Sequence, residues 1–138
     1  MIKTKIIHPE LLCQLAKCGH KTKILIADGN YSFVTNSSQN AQIIYLNFTP
    51  GMISSTDILT GVCDMLNIES AQLMAYPSDF NNTIVTEYES ILPNNTTIQY
   101  LERADFYSQV KSDETLLVIA SGEQRRFANI LVTVGVVF

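Results

Sequence analysis

Apolar residues recur along this chain in two periods, and the alternation between them predicts its architecture. His8-Pro9-Glu10 opens a first helix, because proline suits the first helical position, where its missing N–H would be unpaired anyway. Leu11, Leu12, Leu15 and Ala16 give that helix one apolar face, and Gly19 offers a left-handed stop. Ile24-Leu25-Ile26-Ala27 is a short apolar run typical of a buried strand, ended by the turn Asp28-Gly29-Asn30. Residues 31–40 are polar and read as a loop. Residues 42–46 read as a second strand, broken by Thr49-Pro50-Gly51. Ser55-Thr56-Asp57 caps a second helix carrying Ile58, Leu59, Val62 and Leu66. A strand over 72–76 follows, then a helix over 83–92 with Ile84, Tyr88 and Ile91 on one face, ended by Pro93-Asn94-Asn95. Residues 97–101 return as a strand and 103–110 as a short helix. Residues 115–120 form a strong strand, 121–127 a polar connection with room for one helical turn, and 130–138 a final β-rich run.

Strands alternating with helices predict an α/β fold, a three-layer α/β/α sandwich around a mixed, largely parallel sheet. The last two strands are joined by a link too short for a helical crossover, so an antiparallel pair is expected there. No linker or repeat divides the chain, and 138 residues suit one domain over 1–138 that buries most of its apolar surface.

Composition narrows the function. The charged fraction is 16%, below the usual quarter, which points to a surface partly covered by further copies of the chain. The net charge is -4 and no basic stripe runs along any segment, which argues against nucleic acid as the main partner. The one adjacent basic pair, Arg125–Arg126, reads as a solvated turn. Cys13, Cys18 and Cys63 are an odd number without Cys-x-x-Cys spacing, so neither a disulfide framework nor a zinc site is implied, and reduced thiols fit the cytosol. Apolar runs fall far short of the ~20 residues that span a bilayer, and no secretory leader pattern opens the chain. A cytoplasmic protein without membrane contact is expected. The sequence has no Gly-x-Gly-x-x-Gly after its first strand, no Walker loop, no metal spacing of His8 and His20, and no Gly-x-Ser-x-Gly elbow. Neither a cofactor nor a metal is expected.

Open α/β sheets bind ligands outside the carboxyl ends of their strands. Three polar clusters stand at such places or on the loops facing them: Gly19-His20, Asp28-Gly29-Asn30, and residues 123–129. Each has a plain structural reading beside the functional one. His20 suits a helix end favoured by the dipole, Asp28 can close its own turn, Arg103 can be an exposed helix start, and Asn129 a turn residue. Tyr31, Tyr88, Tyr100 and Tyr107 read first as packing residues with a bonded hydroxyl.

The order of these clusters is more specific than any one of them. Leu11-Leu12-x-x-Leu15-Ala16-x-x-Gly19-His20, followed by Ile24-Leu25-Ile26-Ala27-Asp28-Gly29-Asn30-Tyr31, resembles the opening of the D-ribose pyranase and L-fucose mutarotase family. Ser121-Gly122-Glu123 with Phe127-Ala128-Asn129-Ile130-Leu131 and Gly135-Val136 is similar to that family's close, and Arg103-Ala104-Asp105-Phe106-Tyr107 to its fucose branch. The resemblance implies a monosaccharide mutarotase that interconverts α and β anomers of a fucose-like or ribose-like sugar. It implies His20 as the proton donor, and Asp28, Arg103, Phe127, Ala128 and Asn129 as sugar-contacting positions. It also implies rings of subunits, commonly homodecamers, with the pocket at a subunit interface. Phe127 stands where the family usually has tyrosine, Ser32 where it usually has proline, and Tyr45-Leu46-Asn47-Phe48 where the fucose branch has Arg-Ala-Asp-Gly. The missing hydroxyl at Phe127 leaves the catalytic base open between a backbone carbonyl, a water and another tyrosine. It also motivates the alternative of a non-catalytic sugar-binding protein on the same fold.

Overall fold

The alternation is realised as ten elements in the computed structural model, which describes residues 1–138. In chain order they are α1 (Pro9–Lys17), β1 (Lys23–Ala27), β2 (Gln42–Tyr45), α2 (Ser55–Met65), β3 (Ile68–Met74), α3 (Ile84–Ile91), β4 (Thr97–Leu101), α4 (Arg103–Val110), β5 (Thr115–Ala120) and β6 (Ile130–Val134). The strands form one sheet in the order β2-β5-β1-β6-β3-β4, in which β6 runs antiparallel to both its neighbours.

Strand periodicity sorts side chains to two cores. Ile24 and Ile26 of β1, Leu117 and Ile119 of β5, and Ile130 and Val132 of β6 face α1, α2 and α3, where they meet Leu11, Leu15, Leu59, Val62 and Tyr88. The intervening Leu25, Ala27, Val118 and Leu131 face the other way and pack against Phe106 and Val110 of α4. Three helices on one face and one on the other make the three layers.

One pairing differs from expectation in a way that builds the site. β5 and β6 do not pair, because β1 lies between them. The connection 121–129 therefore has to cross the carboxyl end of β1. It is laid directly on the turn that follows β1: the Gly29 amide donates to the Glu123 carbonyl at 2.7 Å and the Ser121 amide to the Ala27 carbonyl at 3.1 Å. Gly122 is required there, since a Cβ on it would lie 1.8 Å from the Met52 carbonyl oxygen. The connection holds turns and no helix.

Other boundaries move by local chemistry. α1 ends at Cys18 in an extended conformation, and the left-handed residue is Lys21 (φ 72°) rather than Gly19. β3 covers 68–74 rather than 72–76, because its amino end pairs with β6 from Ile68 onward. The final β-rich run leaves the sheet after Val134. The cap of α2 is Ser54, not Ser55: its Oγ accepts from the Asp57 amide at 3.2 Å, while Ser55 is fully buried. Ser54→Ala is expected to cost about 1 kcal/mol, the usual worth of a serine cap, read as a lower urea midpoint at unchanged slope.

Candidate functional site

Where the connection crosses β1, it brings one end of the sheet's turns together. The Asp28 amide donates to the Asn129 Oδ1 at 2.8 Å, and the Asn129 Nδ2 donates to the Asp28 Oδ2 at 3.1 Å. The Asn30 amide donates to the other carboxylate oxygen at 2.9 Å. Asp28 is 3% exposed and Asn129 6% exposed. Burial raises the Asp28 carboxyl above the ordinary carboxylate range, against the pull of the backbone amides of Asn30, Ala128 and Tyr31, and the charge of Glu123 adds to the rise.

This pair opens into a cavity of about 310 Å³. Arg103, the first residue of α4, Phe127 and Asn129 line it with Asp28, so four of the sequence-predicted residues converge. Ala128 does not reach the cavity. It is fully buried, and its carbonyl accepts the Tyr88 hydroxyl, which also lies 2.7 Å from the Ser55 Oγ. Phe127 adopts φ 60°, a conformation unusual for a bulky residue, and this turns its ring toward the cavity.

Sequence reasoning missed Tyr31, Met74, Tyr107 and Arg126 as lining residues. Tyr31 and Tyr107 stack edge to face at 5.7 Å, and the Tyr31 hydroxyl donates to the Asn36 carbonyl at 2.7 Å. Burial pushes the Tyr31 phenol well above its ordinary range. Arg126, which reads as a solvated turn residue, lies with its guanidinium carbon 5.3 Å from the Phe127 ring centre and 5.4 Å from that of Phe80. The signal for it was adjacency to Phe127 alone. A second, polar cleft of about 420 Å³ adjoins across Asn30, between residues 47–50 and 121–124.

His20 is elsewhere. It precedes β1, whereas Asp28 follows it, and the five strand residues between them span roughly 17 Å at ~3.3 Å each. His20 and Asp28 are therefore not brought together within one chain. The His20 Nε2 instead lies 3.1 Å from the Glu69 Oε2 on β3, with its side chain 45% exposed. Lys21 also holds Glu69, and Lys21 first, then His20, keep that carboxyl below its usual range despite some burial.

No group of three or more His, Cys, Asp or Glu residues is placed to hold a metal ion, and no helix is long and apolar enough to cross a membrane. What the fold and cavity define is a mixed-sheet α/β protein with a small pocket of mixed polar and apolar lining at the carboxyl end of its central strand β1. The chain belongs to the RbsD / FucU transport protein family, whose model matches residues 1–137. It is 28% identical to the fucose mutarotase of Mus musculus, over 95% of this chain and 90% of that one. It is 30% identical to the D-ribose pyranase of Geobacillus kaustophilus, over 100% of this chain and 96% of that one. The structure of Bacillus subtilis RbsD complexed with D-ribose superposes with a TM-score of 0.86 at 25% identity, covering 100% of both chains. These identities do not separate the fucose branch from the ribose branch.

Proposed function

We propose that this chain is a cytoplasmic monosaccharide mutarotase, one domain over residues 1–138, which exchanges α and β anomers of a fucose-like or ribose-like aldose. The observation that carries the reading is the buried Asp28–Asn129 pair opening on a cavity with Arg103 beside it. It is supported by relatives named fucose mutarotase and D-ribose pyranase.

Anomer exchange needs a proton removed from the anomeric hydroxyl and a proton given to the ring oxygen. The bond from the anomeric carbon to the ring oxygen breaks, the aldehyde rotates, and the ring recloses on either face. No electrons leave the sugar. Asp28 is the one carboxylate lining the cavity, and its raised pKa favours taking a proton. Asn129 fixes its orientation, while Arg103 and the Asn129 amide hold sugar hydroxyls. Phe127 packs against the apolar face of the ring, and buried Ala128 sets the loop. His20 acts as the proton donor, an imidazole being suited to proton transfer near neutral pH. With His20 and Asp28 at opposite ends of β1, the imidazole comes from a neighbouring copy in a ring, the homodecamer implied by the resemblance. Exposed apolar residues at both ends, Phe48 and Met52 near Asp28, and Val137 and Phe138 beyond β6, suit such contacts.

The test is saturation-transfer NMR on D-ribose and L-fucose. Enzyme-dependent transfer of magnetisation between anomers of either sugar is expected. Binding of the sugar by calorimetry without any transfer would leave a sugar-binding protein and end the catalytic reading.

A further inference from the structure

Arg103 and Arg126, both exposed, line the cavity together with a single carboxylate whose oxygens already accept hydrogen bonds. The Asp28 oxygens accept from Asn129 and from the Asn30 amide. Arg103 and Arg126 have no ion-pair partner, in a chain whose net charge is -4. The contrast with the adjacent Arg125 is informative. Arg125 points away from the cavity and is held by Glu123 and Glu87. Arg126 is held by aromatic faces instead, stacked across Phe80 and Phe127, whose rings lie 4.9 Å apart. Cation–π packing orients a guanidinium while leaving its N–H donors free. Such a group cannot act as a base, because arginine does not lose its proton in proteins. What it can do is receive an anion, and a planar fork matches a carboxylate or phosphate in two hydrogen bonds.

We propose that the cavity selects a monosaccharide carrying a negative charge, a uronate or a sugar phosphate, over its neutral counterpart, with Arg126 as the specificity-determining residue and Arg103 assisting. This rests on the reading of the cavity as a sugar site, and it adds the substrate class. A hexuronate differs from its parent hexose only at the carbon furthest along the chain from the anomeric centre. The charged end can therefore meet the guanidinium groups while the anomeric carbon lies at Asp28. Phe127 contributes by what it lacks: with no hydroxyl on its ring, the donors on this side of the pocket are the arginine's.

Isothermal calorimetry on matched pairs separates the possibilities: D-galacturonate against D-galactose, D-glucuronate against D-glucose, and D-ribose 5-phosphate against D-ribose. At least one anion is expected to bind about tenfold tighter than its partner, the usual gain of a charge-assisted hydrogen bond. The gap is expected to shrink with added salt and to close in Arg126→Leu and Arg126→Gln, with unchanged melting curves showing that both variants fold. A uronate preference alone assigns the carboxylate, and a ribose 5-phosphate preference alone the phosphate. Equal or tighter binding of the neutral sugar in all three pairs overturns the proposal, as does a gap that survives both variants. Anomer exchange on ribose or fucose, recorded in parallel, keeps the two readings apart. Exchange without anion preference leaves the mutarotase reading and removes this one; anion preference without exchange does the reverse.

Discussion

Replacing His20 by alanine is expected to slow anomer exchange by roughly 10²–10⁴-fold, the usual share of a positioned acid or base. Asn129→Ala is expected to slow it at least about tenfold, by leaving a buried carboxylate oxygen unpaired. The informative result comes from combining them. Within one chain these two residues stand at opposite ends of β1, roughly 17 Å apart along the strand. If each pocket draws its imidazole from a neighbour, a pocket between an Asn129→Ala subunit and a His20→Ala subunit has either both lesions or none. Unfolding the two variants together in equal amounts and refolding them should then recover activity in about a quarter of the pockets, as random assembly dictates. A mixture no more active than the mean of its two components would contradict a shared pocket. Glu69 gives an independent handle, because it is the group that fixes the His20 ring in the isolated chain.

What the sequence made legible follows its periodicity. Leu11 and Leu15, Ile58 and Val62, and the alternating strand residues 24–27 each announce their core by spacing, and they are buried as expected. The turn at Asp28 was legible for the same reason, since a polar triplet ends an apolar run. Strand neighbours were not legible. Nothing local in 115–134 records that β1 inserts between β5 and β6, because the choice is made by long-range packing of the whole sheet. The proximity of Asp28 to Asn129 was thus expected from resemblance, and its cause became visible only in the topology. Arg126 is exposed and lies in a turn, as its position suggested, but its contact with Phe80 was not legible, because Phe80 lies in another loop and no sequence period links the two. His20 shows the converse: its place just before β1 is plain in the chain, and that place is what separates it from the cavity.

Glu123→Gln is expected to lower stability by about 2 kcal/mol at neutral pH, and to remove an acid transition that the wild-type protein has. Glu123 is 5% exposed and accepts from the Ser55 Oγ at 3.1 Å, from the Arg125 amide at 3.1 Å and from the Arg125 Nε at 2.9 Å. Burial alone would raise its carboxyl, but the hydrogen bonds and charge of Arg125, with Ser55, outweigh this and bring it down to about 2. A carboxyl held below its unfolded value stabilises the folded state at pH above that value, here 4.5, and loses the contribution as pH falls toward 2. At full strength the displacement corresponds to about 3 kcal/mol. The Arg125 side chain is 35% exposed, and solvent screening there reduces the expected share to about 2 kcal/mol. Urea unfolding of both proteins across this range should therefore show curves that differ most above pH ~5 and converge by pH ~2. A difference that stays constant with pH would mean that the glutamate acts through shape and not through charge. The effect should also reach the pocket, because Ser55, which donates to Glu123, lies 2.7 Å from the Tyr88 hydroxyl that supports the Ala128 carbonyl, one residue from Asn129. The same substitution is thus expected to weaken sugar binding at neutral pH, although Glu123 lies outside the sugar cavity.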